Sequence, residues 1–104
     1  MEKTEKNMVG QATPEQIKAW KEKYGTIYTT KDDSNIAYFR KPNRKELSYA
    51  LRLQDDPLAM AEMVLKSCYI GGSSIFYTDT SYILGSENLV NKMLAVKKIE
   101  VGEL

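Results

Sequence analysis

Ile-Ala-Tyr-Phe-Arg-Lys-Pro-Asn-Arg-Lys-Glu-Leu-Ser-Tyr-Ala, residues 36–50, changes its period in mid-course. Its first five residues are β-branched, aromatic or extended-chain formers, with Ala37 and Phe39 alternating with Ile36 and Tyr38, the two-residue period of a strand. Pro42 cannot continue that strand's hydrogen bonding. Asn43 then stands where a helix cap belongs, with Glu46 at the third helical position to close a capping box. Leu47, Ala50 and Leu51 supply the apolar face of a helix from about Arg44 to Leu53, with Tyr49 beside it. A strand passing through proline directly into a helix is the joint on which an α+β reading rests.

Upstream, residues 26–30 are again β-branched and aromatic, and Lys-Asp-Asp-Ser-Asn at 31–35 is a turn cluster, so the two strands form a hairpin. Alternation predicts one hairpin face against helices and a wetter opposite face. Two strands alone are marginal in water, so the hairpin must lean on helices. The helix before it starts at Thr13-Pro14-Glu15-Gln16, a cap followed by a first-turn proline and a glutamine able to close a capping box, and stops at Gly25. Ile17, Trp20 and Tyr24 fall on one face of it, with Trp20 as the anchor to the core. Residues 1–12 are polar without a sustained apolar period and read as a flexible leader, leaving 13–104 as one domain.

Downstream, Gln54-Asp55-Asp56-Pro57 interrupts the helical pattern because the residue before proline avoids the helical region. Asp56 caps a third helix whose stripe is Leu58, Ala61, Val64, Leu65 and Cys68 and which stops at Gly71 and Gly72. Residues 75–77 read as a short extended piece. Asp79 opens a last helical stretch to about Glu100, with Gly85-Ser86 as the place where it bends or restarts. Tyr82, Leu89, Met93 and Val96 share a face of that stretch at heptad-like spacing. The predicted fold is α+β, mainly helical: one β-hairpin packed against about four helices.

Composition narrows the function. The 104-residue chain is 42% hydrophobic and 28% charged, ordinary for one globular domain. It contains no histidine, which removes the commonest general base, metal ligand and activator of a nucleophile. The adjacent carboxylates Asp32/Asp33 and Asp55/Asp56 sit at turn and cap positions. The single cysteine, Cys68, excludes an internal disulfide and a clustered-cysteine zinc site, and its apolar neighbours assign it to core packing. Gly71-Gly72-Ser73-Ser74 lacks the lysine and spacing of a phosphate-binding loop. These features predict no catalytic residue, no cofactor and no metal.

No stretch approaches the ~20 apolar residues of a membrane span. The first residues lack the apolar core of a signal peptide, which predicts a cytoplasmic protein. Fifteen basic against fourteen acidic side chains, a net charge of +1, argue against nucleic acid as the main partner. The one basic cluster is Arg40, Lys41, Arg44 and Lys45, preceded by Tyr38 and Phe39. A nucleic-acid-binding regulator would use Tyr38, Phe39, Arg40, Arg44 and Lys45, with a steep salt dependence. Met60, Met63 and Met93 suit adaptable protein contacts, and equally the filling of a small core.

Taken in order, EQIKAWKEKYG at 15–25, YFRKPNRKELSYA at 38–50, DPLAMAEMVLKSCYIGG at 56–72 and the acidic-start stretch after Asp79 resemble the tail assembly chaperones of tailed bacteriophages. The junction at 40–44 and the helix end at 68–72 carry most of the resemblance, which spans about residues 13–100. It implies a non-enzymatic protein of the bacterial host cytoplasm that binds the helical tape measure protein, keeps it soluble and helps to recruit tail tube protein. The candidate partner contacts are Tyr38, Arg40 and Arg44 at the junction and Tyr82, Leu89, Met93 and Val96 on the last helical stretch, whose wide apolar face also suits self-association. The alternative within the same fold is a structural or accessory protein of the virion.

Overall fold

Each of the first three helices begins at a side chain that accepts from a backbone N–H of its first turn. A computed structural model describes residues 8–95 and 99–104 of the chain. Thr13 caps α1 (Pro14–Tyr24), with the Gln16 N–H donating to its hydroxyl and its own N–H donating to the Gln16 side chain. Asn43 caps α2 (Arg44–Arg52) with the same reciprocal pair to Glu46. Asp56 caps α3 (Pro57–Cys68) through the Ala59 N–H. These are the predicted starts, and they form for the predicted reason: a short polar side chain replaces the helical acceptor that the first turn lacks.

Between α1 and α2 lies the hairpin, β1 (Ile27–Lys31) and β2 (Ile36–Arg40), antiparallel with Thr29 opposite Tyr38. The carboxylate of Asp32 accepts from the backbone N–H groups of Ser34 and Asn35, each at 2.8 Å, and so forms the turn. The fold is α+β and mainly helical, with six helices among the described residues.

The chain after α3 departs from its sequence reading. The helix ends at Cys68, and Tyr69–Gly72, taken for the helix end and its glycine stop, forms a third strand, β3, antiparallel to β2 in the order β1-β2-β3. β2 is therefore central, and four of its five residues are buried. One face carries Ala37 and Phe39 into the main core with Val64, Leu65, Cys68, Phe76, Ile83, Val90 and Met93. The other carries Tyr38 under the Trp20 ring of α1, with ring centroids 5.2 Å apart. The wetter hairpin face expected from alternation is thus covered by α1 at Tyr38, while Thr29 and Lys31 of β1, on the same face, stay exposed. Gly71 makes that cover possible, since a Cβ there would lie 2.7 Å from the Trp20 ring.

Residues 75–77, expected to be extended, lie in α4 (Ile75–Thr78), a single turn that buries Phe76. The expected long last helix is two pieces, α5 (Thr80–Gly85) and α6 (Glu87–Met93), restarting at Ser86 as the Gly85-Ser86 pair allows. The buried Ser86 hydroxyl donates back to the Tyr82 carbonyl at 2.9 Å, the kind of side-chain competition that bends helices. Residues 99–101 are non-helical and exposed. Part of the assigned leader also has a place: the Val9 N–H donates to the Ser34 carbonyl, the Ile36 N–H to the Val9 carbonyl and the Ala12 N–H to the Tyr38 hydroxyl. Residues 1–7 of that leader lie outside the described residues. No helix among the described residues is long and apolar enough to cross a membrane.

Candidate protein-binding surface

The strand-to-helix joint is held from within. Arg40 at the end of β2 makes a bidentate pair with Glu46 of α2, at 2.8 and 2.7 Å, and donates a further hydrogen bond to the Ser67 carbonyl of α3 at 2.8 Å. The pair is about four-fifths shielded from water. Arg40 holds the Glu46 carboxyl below its ordinary range, and the guanidinium is shifted up in return. Arg40, a predicted partner contact, is therefore an internal tie. The two stretches that carry the family resemblance meet here, because Arg40 reaches the α3 end and β2 pairs with β3.

Tyr38 and Phe39 are buried in the sheet, which removes both aromatics from the predicted nucleic-acid set. Tyr82 is half-buried: its hydroxyl donates to Asp32 and accepts from Asn35, whose own carbonyl accepts from Ser73. That network ties the hairpin turn to α5, and the Tyr82 hydroxyl is the first cause of the lowered Asp32 carboxyl, ahead of the Ser34 and Asn35 amides. Leu89 is half-buried and lines a shallow depression of about 400 Å³ between α6 and β1. Met93 is fully buried in the core, and Met60 and Met63 pack against it, so the methionines fill this small core. Burial corrects Tyr38, Arg40 and Met93 as partner contacts. Val96 lies outside the described residues.

Of the three junction residues named as partner contacts, Tyr38, Arg40 and Arg44, only Arg44 is exposed, and the structure gives it company that the linear sequence hides. Arg44, Ser48 and Arg52 fall at four-residue spacing on α2, next to Lys45 and Tyr49, around an open depression of about 530 Å³. Tyr49 is 52% and Leu51 60% exposed. α2 packs chiefly against α3, which leaves this arc uncovered. The helical period of residues 44–52 contains the signal, and it becomes visible once Glu46 and Ala50 are known to define the inward side.

No three His, Cys, Asp or Glu side chains gather as metal ligands among the described residues. Cys68 is fully buried, and desolvation first and the Glu46 carboxylate second push its thiol up to about 12. At pH 8 its thiolate fraction is about one part in ten thousand. We expect no reaction of the native protein with a thiol-disulfide reagent at that pH and one equivalent released on denaturation. Rapid labelling of the native protein would contradict the buried placement. The chain matches no protein-family model, no curated protein and no solved structure.

Proposed function

We propose that this chain is a non-enzymatic protein-binding protein, and that in its fuller form it is a tail assembly chaperone that holds a tape measure protein in the bacterial host cytoplasm and assists tail tube assembly. The observation that carries the protein-binding half is the uncovered outer arc of α2, where Tyr49 and Leu51 stand more than half exposed beside Arg44, Lys45 and Arg52. Tyrosine and arginine are the side chains that most often carry binding energy in protein interfaces. The fuller form is supported by the resemblance of residues 13–100. Its signature positions form the Arg40–Glu46 tie and the β2–β3 pairing, so they speak for a shared scaffold more than for a shared contact surface.

The test is co-expression with a candidate tape measure protein, followed by purification and mass spectrometry of assembled particles. A chaperone co-purifies with the soluble client and is absent from particles. A fixed copy number in particles would replace this reading with that of a structural virion protein.

A further inference from the structure

Resting on the protein-binding reading, we propose that the outer arc of α2 docks an acidic, amphipathic helical segment of the partner. Around the axis of a nine-residue helix, at 100° per residue, the exposed side chains run in the order Leu51, Arg44, Ser48, Arg52, Lys45, Tyr49. The cations occupy the centre of the arc, a leucine borders one side and a tyrosine the other. None of the three forms an ion pair among the described residues, where Arg40–Glu46 is the one ion pair.

That pair explains why the arc is so positive. Glu46 is the one acidic residue of α2, and it is turned inward onto Arg40 and the Asn43 N–H, so it neutralises none of the outward cations. Lys41, exposed just before the cap, adds to the same end. The acids nearest in sequence lie beyond the helix, where Asp56 is committed to capping α3 and Asp55 is exposed.

The chemistry of the occupant follows. Arg44 and Arg52, eight residues apart with Ser48 between them, are spaced by about 12 Å along the helix axis, the spacing of every second carboxylate in a four-residue series on a partner helix. Leu51 and Tyr49 at the margins require apolar side chains beside those carboxylates, as on an amphipathic helix laid along a groove. A nucleic-acid backbone would match the cations but leave Leu51 without a partner, and a net charge of +1 gives it little long-range attraction.

The test measures fluorescence anisotropy of a labelled helical peptide with glutamates at four-residue spacing flanked by leucines, against a lysine-for-glutamate version, a 20-nucleotide single strand and a 20-base-pair duplex. The wild-type chain is compared with the triple variant Arg44→Glu, Lys45→Glu, Arg52→Glu and with a charge-matched control on α1, Lys18→Glu, Lys21→Glu, Lys23→Glu. Circular dichroism checks that each variant is folded. The acidic peptide should bind the wild type and the α1 control alike, and bind the α2 variant at least about tenfold more weakly, with the difference shrinking as salt rises.

Equal binding to wild type and α2 variant, or preference for the lysine peptide, overturns the proposal. So does tighter binding of either nucleic acid through the same three residues, which would make the arc a phosphate-binding face. Because the α2 substitutions are exposed, a variant that fails to fold contradicts the placement of the arc, and the single Arg52→Glu change then reads the same contrast. A client that co-purifies regardless of the α2 charges defeats this inference alone. Peptide binding through α2 without any co-purifying client defeats the chaperone reading alone.

Discussion

Gly72→Ala should lower stability by about 3 kcal/mol or more, a fall of at least about 12 °C in Tm for a domain of this size. Two costs combine at this position. The backbone of Gly72 has φ +103°, a region that side-chain-bearing residues rarely adopt, and a Cβ built there would lie 2.6 Å from both the Ala37 Cα and the Ile36 carbonyl oxygen. Neither neighbour can yield cheaply, because both belong to the central strand. Ala37 is fully buried, and the Ile36 carbonyl accepts from the Ser73 N–H at 2.9 Å. The expected relief is separation of β3 from β2, which also unseats Trp20 from Gly71. Thermal melts by circular dichroism, with Trp20 fluorescence as a second probe, measure both consequences. Gly85→Ala is the contrast: its φ is not positive and nothing lies within 4 Å of its Cβ position, so it should be neutral or stabilise by up to about 1 kcal/mol. If Gly72→Ala melted within about 2 °C of the wild type, the β2–β3 pairing would be wrong.

Glu46→Ala should cost about 3 kcal/mol, because one carboxylate serves two elements. It accepts from the Asn43 N–H in the α2 capping box and holds Arg40, which in turn holds the end of α3. Removing it leaves the Arg40 charge largely shielded from water with only carbonyl partners. Glu46→Gln keeps the cap acceptor and loses the charge, so its cost should be about half.

The pH dependence follows from the sign of the shift. The Glu46 carboxyl is lowered in the folded state, so below the ordinary value of about 4.5 the unfolded chain takes up the proton first. Its contribution is full above that value, declines as pH falls below it, and is gone once pH has passed beneath the lowered folded value. Asp32, lowered by Tyr82, acts in the same direction. Stability should therefore drop in acid, less steeply in Glu46→Gln. With no histidine to titrate, it should be nearly flat between about pH 6 and 8. An acid limb equally steep in the wild type and Glu46→Gln would show that Glu46 is not paired as described.

Fold class, helix starts and the hairpin were legible in the sequence because their determinants lie within four residues of each other. Thr13 with Gln16, Asn43 with Glu46, Asp56 with Ala59 and Asp32 with Asn35 are all local hydrogen bonds, and local chemistry can be read along a chain. The absence of histidine and the lone cysteine likewise bound the chemistry from composition alone.

What the tertiary structure alone decided depends on partners distant in sequence. Tyr69–Gly72 offers only two strand-forming residues, Tyr69 and Ile70, too short a run to show alternation, and its two glycines read as a stop. It becomes a strand because β2, some thirty residues earlier, offers a free edge and because Gly71 leaves room for Trp20. The candidate surface was divided in the same way. The sequence put Arg40 and Arg44 in one basic cluster, and packing separated them, turning Arg40 inward onto Glu46 and Ser67 and leaving Arg44 outward with Arg52 and Tyr49. A charge count fixes how many cations a chain has, whereas burial determines which of them remain unpaired and open to a partner.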